Sequence, residues 1–173
     1  MSDARWVEIE EDIDAAAKHF QNAVDLHAEG GFDAPGLAGY RANMAFMHAM
    51  QAGHTSMESG LERILKMLGE EMPVGESWHR DLIKRVSRSL ADRPAIFPHE
   101  VARAADETRK FRNLATRSYD NFSVEFAEPS VNAAGVLSQK LQEVLKEFKA
   151  KIDPPEDDGD GDGSGGGMSG GPQ

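Results

Sequence analysis

The sequence has no cysteine among its 173 residues. Disulfide bonds, thiolate zinc sites and cysteine nucleophiles are therefore excluded. It also lacks any apolar run near the roughly 18 residues that a membrane-spanning helix requires, and residues 1–5 do not have the pattern of a signal peptide. We therefore expect a cytoplasmic protein without a membrane partner.

Positive charge is scarce as well. The chain has 19 lysine and arginine residues against 30 aspartate and glutamate residues, for a net charge of -11. Because cations dominate phosphate binding, this balance argues against a general nucleic-acid binder. Six of the acids lie between Asp153 and Asp162, however, where no base occurs. The rest of the chain is only mildly acidic, so an RNA site confined to a small basic patch is compatible with the composition.

Apolar residues recur every three or four positions in five segments, which is the periodicity of helices with one buried face. The first series spans residues 6–27, and Gly30 is expected to end that helix. The second spans residues 37–72, a length that predicts a bend near Gly53 or Gly60.

The remaining three helices are predicted to be shorter. Ser77 is expected to cap a third helix over residues 78–90, and Pro98 to open a fourth whose apolar face spans residues 101–118. Ser130 is expected to cap the fifth. No segment alternates apolar and polar residues over the length of a strand. Five helices with short connections predict an all-α, up-and-down bundle.

The end of the chain has a different composition. From residue 153 onward, proline, aspartate, glycine and serine dominate and leave nothing to form a core. We therefore predict one helical domain over residues 1–152, followed by an acidic, glycine-rich disordered tail over residues 153–173.

The end of the fourth helix is the segment richest in functional groups. Residues 109–122 hold four cations and a tyrosine. Arg112 and Tyr119 are seven positions apart, so helical geometry places them on nearly the same face. One interpretation is a solvated basic face whose cations pair with the carboxylates at positions 106, 107 and 120.

A second interpretation rests on resemblance to a known family. Residues 112–119, Arg-Asn-Leu-Ala-Thr-Arg-Ser-Tyr, resemble the signature of the HEPN superfamily and of its HepT-like toxins in particular. That signature is arginine, usually asparagine or histidine, three residues, histidine, any residue and tyrosine. Residues 60–65 and 78–83 are similar to the same group, and the order, spacing and helix count agree over roughly residues 5–150.

The resemblance implies a HEPN-like bundle that acts as a metal-independent RNA endonuclease and needs no cofactor. It implies a homodimer in which the motif arginine and histidine of both copies line a cleft for RNA. It also implies a toxin–antitoxin or related defence module, with a small nucleotidyltransferase (MNT-like) antitoxin that silences the toxin by AMPylation of the motif tyrosine. Carried onto this sequence, the implied site residues are Arg112, Asn113 and Tyr119.

The sequence departs from that signature at Arg117, which stands where the family has its histidine. Metal-free RNA cleavage needs a group that takes a proton from the 2′-hydroxyl and one that gives a proton to the leaving oxygen, and imidazole suits both tasks. A guanidinium group cannot accept that proton at neutral pH, although it can bind phosphate or stabilise its developing charge. We therefore expect Arg117 to leave nuclease activity impaired or absent, through natural degeneration or deliberate alteration. The alternative is an inactive helical dimer that binds a partner protein.

Another histidine could replace the missing imidazole, and His79 is the best candidate. Its alternative role is structural, as a packed or capping residue at the start of a helix. His48 and His54 are six positions apart and point to different faces of their helix, and the other histidines have no histidine four positions away. These spacings predict no metal site.

Overall fold

The computed structural model describes residues 3–117 and 123–155, and these residues form five α-helices. A 3-10 turn, Val124–Ala127, precedes the last helix. Within the described residues there is no strand, only an isolated bridge between Leu90 and Arg93. The prediction of an all-α bundle with five helices is confirmed. The helices are α1 (Ala4–Glu29), α2 (Leu37–Met67), α3 (Trp78–Val86), α4 (His99–Arg117) and α5 (Glu128–Ile152).

The first helix follows its sequence pattern closely. The Asp3 carboxylate caps its start by accepting a hydrogen bond from the backbone N–H of Arg5 at 2.9 Å. Gly30 ends it with a positive φ of 75°, as predicted. The indole N–H of Trp6 donates to the carboxylate of Asp153 at 2.9 Å. This bond ties the start of α1 to the end of α5.

The second helix ends at Met67, so the prediction that it continues to residue 72 was wrong. The physical reason is Gly69, which adopts a φ of 70°. Its N–H donates to the carbonyl of Lys66 at 3.1 Å, and the N–H of Glu70 donates to the carbonyl of Leu65 at 2.9 Å. These two bonds form a Schellman motif, which satisfies the last carbonyls of the helix.

Two glycines inside α2 allow close packing against α1. The helix continues through Gly53 and Gly60 without a break, and both are buried. A Cβ atom on Gly53 would lie 2.8 Å from the ring of Phe20, and one on Gly60 would lie 3.0 Å from Ile13. The sequence predicted a bend of α2 near these glycines. Their contacts indicate that they let the backbones of α1 and α2 pack closely together.

Three other predicted helix ends differ from the structure. The third helix ends at Val86 instead of residue 90. The reason is that the backbone carbonyl of Val86 accepts hydrogen bonds from the N–H groups of Ile96 and Phe97 in the connector. Ser77 precedes that helix, but its hydroxyl donates to Asp81 instead of capping the backbone. The fifth helix begins at Glu128, so Ser130 lies in its first turn and is not its cap.

A buried arginine holds the connector between α3 and α4 in place. Arg93 is 5% exposed, and its guanidinium pairs with the carboxylate of Glu70. It also donates to the carbonyls of Arg85, Arg88 and Pro94 at 3.0–3.3 Å. The hydrogen bonds from Arg93 hold the pKa of Glu70 below its ordinary value. This cluster fixes α3 relative to the end of α2.

The helices share one core. Helix α1 packs against α2 and α5, α4 packs against α5 and α2, and the short α3 packs against α4 and α2. None of the described helices combines the length and the apolar character needed to cross a bilayer. The predicted tail over residues 153–173 lies almost entirely outside the described residues, and its disorder stays a prediction.

Replacing Gly53 by alanine is expected to destabilise the fold. Because the new Cβ would meet the buried Phe20 ring, α1 and α2 would have to separate or the ring would have to leave its rotamer, and overpacking of this kind costs about 1–3 kcal/mol. Urea unfolding followed by far-UV circular dichroism measures the change.

Gly135→Ala is the matched control. This glycine also lies inside a helix, but its Cβ would make only an ordinary contact with Val24 at 3.9 Å. We expect the control to be neutral or to stabilise the protein by up to about 1 kcal/mol. A Gly53→Ala variant as stable as the wild type would contradict the close approach of α1 and α2.

Candidate functional site

Three helices bring a carboxylate, an imidazole and a guanidinium together. Glu58 lies inside α2, His79 in the first turn of α3, and Arg112 near the end of α4. The Nδ1 atom of His79 is 2.6 Å from Oε1 of Glu58, and its Nε2 atom is 3.0 Å from Nη1 of Arg112. We call these three residues the α2–α3–α4 site.

The contact with Glu58 places a hydrogen on one ring nitrogen of His79. A carboxylate without a proton can only accept hydrogen bonds, so Nδ1 carries a hydrogen and donates to Glu58. Nη1 of Arg112 lies 3.0 Å from Nε2 and 3.4 Å from Nδ1, so the guanidinium packs over the imidazole beside both nitrogens. The ring of Trp78 packs against the imidazole with a centroid distance of 3.7 Å. His79 is therefore held from three sides, while its side chain stays 21% exposed.

A second layer of polar groups lies beneath the site. His54 is fully buried, with Nε2 at 3.0 Å from the same Oε1 atom of Glu58 and Nδ1 at 2.9 Å from the hydroxyl oxygen of Thr108. The Glu58 carboxylate can only accept, so Nε2 of His54 carries a hydrogen and donates to it. The hydroxyl of Thr108, which also lies 3.0 Å from the carbonyl of Ala105, holds the other ring nitrogen in place.

Glu58 is the shared acceptor of this network. Burial raises the pKa of a carboxyl group, but the hydrogen bonds from His54 and His79, together with their charge, hold the pKa of Glu58 below its ordinary value. The group is thus an ionised carboxylate at neutral pH. Such a carboxylate orients an imidazole and stabilises the positive charge that it acquires when it takes up a proton.

The same groups could in principle hold a metal ion. One ligand atom each from His54, Glu58 and His79 lies within 4.8 Å of the others, and two imidazoles with a carboxylate are a donor set found in zinc sites. Nδ1 of His79 and Nε2 of His54 lie 2.6 and 3.0 Å from Oε1 of Glu58, which are the separations of hydrogen-bonded atoms.

Comparison with known proteins identifies the family. A family model described as "HepT-like protein" matches residues 45–152. The chain belongs to the HepT-like family. The match includes all three residues of the α2–α3–α4 site. No curated protein and no solved structure matches the chain significantly.

The site residues expected in this HepT-like chain are distributed over two faces of α4. Arg112 is half-buried and belongs to the α2–α3–α4 site. Arg117 is exposed, and five positions in a helix correspond to a rotation of about 140° from Arg112. Asn113 lies on the same side as Arg117, four positions earlier. Within one copy of the chain, Arg112 and Arg117 thus point in different directions, and Tyr119 lies outside the described residues.

The buried part of the site was not predicted from the sequence. The spacing between histidines gives no indication of it, because the partner of His54 is Glu58, four positions later. A usable signal was present, because both polar residues lie on the apolar face of α2 among Met50, Met57 and Leu61. A buried histidine and glutamate in adjacent turns predict a hydrogen-bonded pair.

Replacing Glu58 by glutamine is expected to lower the free energy of unfolding at pH 7 by about 1–3 kcal/mol, the usual effect of losing a charged hydrogen-bond acceptor in a buried site. Since the pKa of Glu58 is lower in the folded than in the unfolded state, its contribution is present above the unfolded pKa of about 4.3 and is lost as the pH falls through the folded value. Urea unfolding of both proteins at a series of pH values should show the difference shrinking below about pH 4.3.

Glu62→Gln provides the control, because Glu62 lies one turn later on α2 and has no hydrogen bond or ion pair within residues 3–117 and 123–155. Its effect should stay within about 0.5 kcal/mol. If the two substitutions had equal effects at every pH, the shared hydrogen bonds of Glu58 would not stabilise the fold.

Proposed function

We propose that this HepT-like protein is a metal-independent RNA endonuclease, and the toxin of a toxin–antitoxin module, in which His79 performs the proton transfer. The observation that supports this proposal is the position of His79, whose Nδ1 donates to the buried Glu58 carboxylate while its Nε2 lies 3.0 Å from Arg112. A general base backed by a carboxylate and placed beside a phosphate-binding group supplies two of the groups that metal-free cleavage of RNA uses.

The proposed reaction uses the 2′-hydroxyl of RNA as the nucleophile. Nε2 of His79 takes the hydroxyl proton while the 2′-oxygen attacks the adjacent phosphorus. The bond from phosphorus to the 5′-oxygen breaks, and that oxygen takes a proton from a water molecule, which recovers one from the His79 imidazolium, so that the neutral base is restored. The products are a 2′,3′-cyclic phosphate and a free 5′-hydroxyl. Glu58 stabilises the imidazolium formed in the first step.

Arg112 binds the phosphate in this scheme. In the free protein its guanidinium packs against the imidazole of His79, 3.0 Å from Nε2 and 3.4 Å from Nδ1. It therefore offers a charged donor to an RNA phosphate directly beside the base. There it stabilises the negative charge that develops on the phosphate oxygens.

In this proposal the arginine at position 117 does not prevent nuclease activity. The sequence indicated impaired activity because Arg117 cannot act as a general base. His79 provides an imidazole on another helix, so cleavage does not require a histidine at position 117.

Other elements of the proposal rest on the family resemblance alone. These are the homodimer, the MNT-like antitoxin and the AMPylation of Tyr119. They are compatible with an exposed end of α4, where Arg117 is accessible.

Purified protein should cleave a single-stranded RNA oligonucleotide in the presence of EDTA and leave a 2′,3′-cyclic phosphate. His79→Gln keeps a donor for Glu58 but loses the base, so the cleavage rate should fall by about 10²–10⁴-fold. Arg112→Ala should lower it by about 10²–10³-fold. Denaturing electrophoresis measures the rate, and circular dichroism checks that each variant folds.

His48→Gln is the matched control, since His48 is an exposed histidine on α2 and should be dispensable. Undiminished cleavage by His79→Gln would contradict the assignment of the base. Cleavage that EDTA abolishes and zinc restores would instead indicate a metal held by His54, Glu58 and His79. Failure of the wild type to cleave any RNA would favour the partner-binding alternative.

The role as a toxin is tested by expression in bacteria. Wild-type protein should arrest growth, and His79→Gln should not. If the wild type is harmless while Arg117→His arrests growth, the scaffold is a nuclease impaired at position 117, and the proposed role of His79 is wrong.

A further inference from the structure

A charged groove of about 800 Å³ lies between α3, α4 and α5. Five lysine and arginine side chains line it, against three carboxylates. This is an unusual surplus on a chain whose net charge is -11. The cations are Arg80, Lys84, Arg103, Arg109 and Lys110.

Each carboxylate of the groove has a cation partner. Glu100 accepts from Lys140 of α5 at 2.5 Å. Asp106 pairs with Arg109 at 2.8 Å, and Glu107 pairs with Lys110 at 2.7 Å. The negative charge of the groove is therefore neutralised within the protein.

Two of the cations have no such partner. Within residues 3–117 and 123–155, neither Lys84 nor Arg103 takes part in an ion pair, and both are exposed. A third, Arg80, approaches only Asp81, at 3.9 Å. The surplus positive charge of the groove thus comes from opposite walls, α3 and α4, and a ligand between them would meet both.

The groove extends along α4, and one of its residues, Arg80, directly follows His79 in the chain. On α4, Arg103 is separated from Lys110 by two turns, and Arg117 lies two turns further on. These three cations share one helix face, because seven residues are close to two full turns. They extend over about 21 Å of the helix.

We propose that this groove binds the phosphodiester backbone of the RNA strand next to the cleaved phosphate, and that Arg117 is the far phosphate contact on the same face of α4. The inference rests on the proposed function, because it takes RNA as the substrate. Helix α4 then has two roles on two faces. Arg112 meets the reacting phosphate, and the cations from Arg103 to Arg117 hold the strand.

The test compares RNA binding with cleavage of a minimal substrate. Lys84→Glu and Arg103→Glu should each raise the KM for a single-stranded oligonucleotide about tenfold and lower the slope of log K against log salt by about 0.7, the value for one phosphate contact on a single strand. Cleavage of a dinucleotide, which cannot reach the groove, should be unchanged. Fluorescence anisotropy of a labelled oligonucleotide measures binding.

Lys18→Glu is the matched control. Lys18 is an exposed cation on α1, and α1 does not line the groove, so its reversal should leave both the affinity and the salt slope unchanged. The melting temperature of each variant shows whether the charge reversal has disturbed the fold.

The outcomes separate this inference from the proposed function. If the groove variants bind the oligonucleotide like the wild type, the groove assignment is overturned, even where dinucleotide cleavage by His79 is intact. If they lose RNA binding while the wild type cleaves nothing, the groove assignment is supported and the proposed nuclease activity fails. Equal binding of a polyglutamate peptide at the groove would point to an acidic protein partner and overturn the assignment to RNA.

Discussion

One carboxylate oxygen organises the centre of this molecule. Oε1 of Glu58 accepts hydrogen bonds from His54 and His79 at 3.0 and 2.6 Å. An ionised carboxylate inside a protein is costly unless it is paired, so this atom requires both imidazoles. It thereby fixes the first turn of α3 beside α2 and sets which nitrogen of His79 faces the carboxylate. The guanidinium of Arg112 packs against the same imidazole, 3.0 Å from Nε2.

The rest of the fold keeps that oxygen in place. Gly53 and Gly60 let α1 pack closely on the side of α2 that faces away from Glu58, while His79 of α3 packs on the side that carries Glu58. The left-handed turn at Gly69 and the Arg93–Glu70 pair then direct the chain back so that α3 begins beside Glu58. Stability and function are linked here, because the groups that fix α3 also fix the position of its first turn.

The sequence predicts the helices well and the site only in part. Apolar periodicity identifies all five helices, since it reflects one buried face per helix. Helix ends depend on local hydrogen bonds, such as the one donated by Gly69, which can end a helix even where the apolar periodicity continues. Arg112 was found from its motif. The pairing of Glu58 with His79 could not be predicted from the sequence. It joins residues 21 positions apart on separate helices and depends on how those helices pack.

The arginine at position 117 illustrates how helix packing changes the interpretation of a motif. When the sequence is compared with the family signature, Arg117 replaces the signature histidine. On the folded helix it is about 140° away from Arg112, on the face that carries the groove cations, while an imidazole from α3 already contacts Arg112. Under the proposed mechanism, the arginine at position 117 and the imidazole on α3 are related. An imidazole supplied by α3 releases position 117 from proton transfer, and a permanent positive charge then suits its location beside the strand.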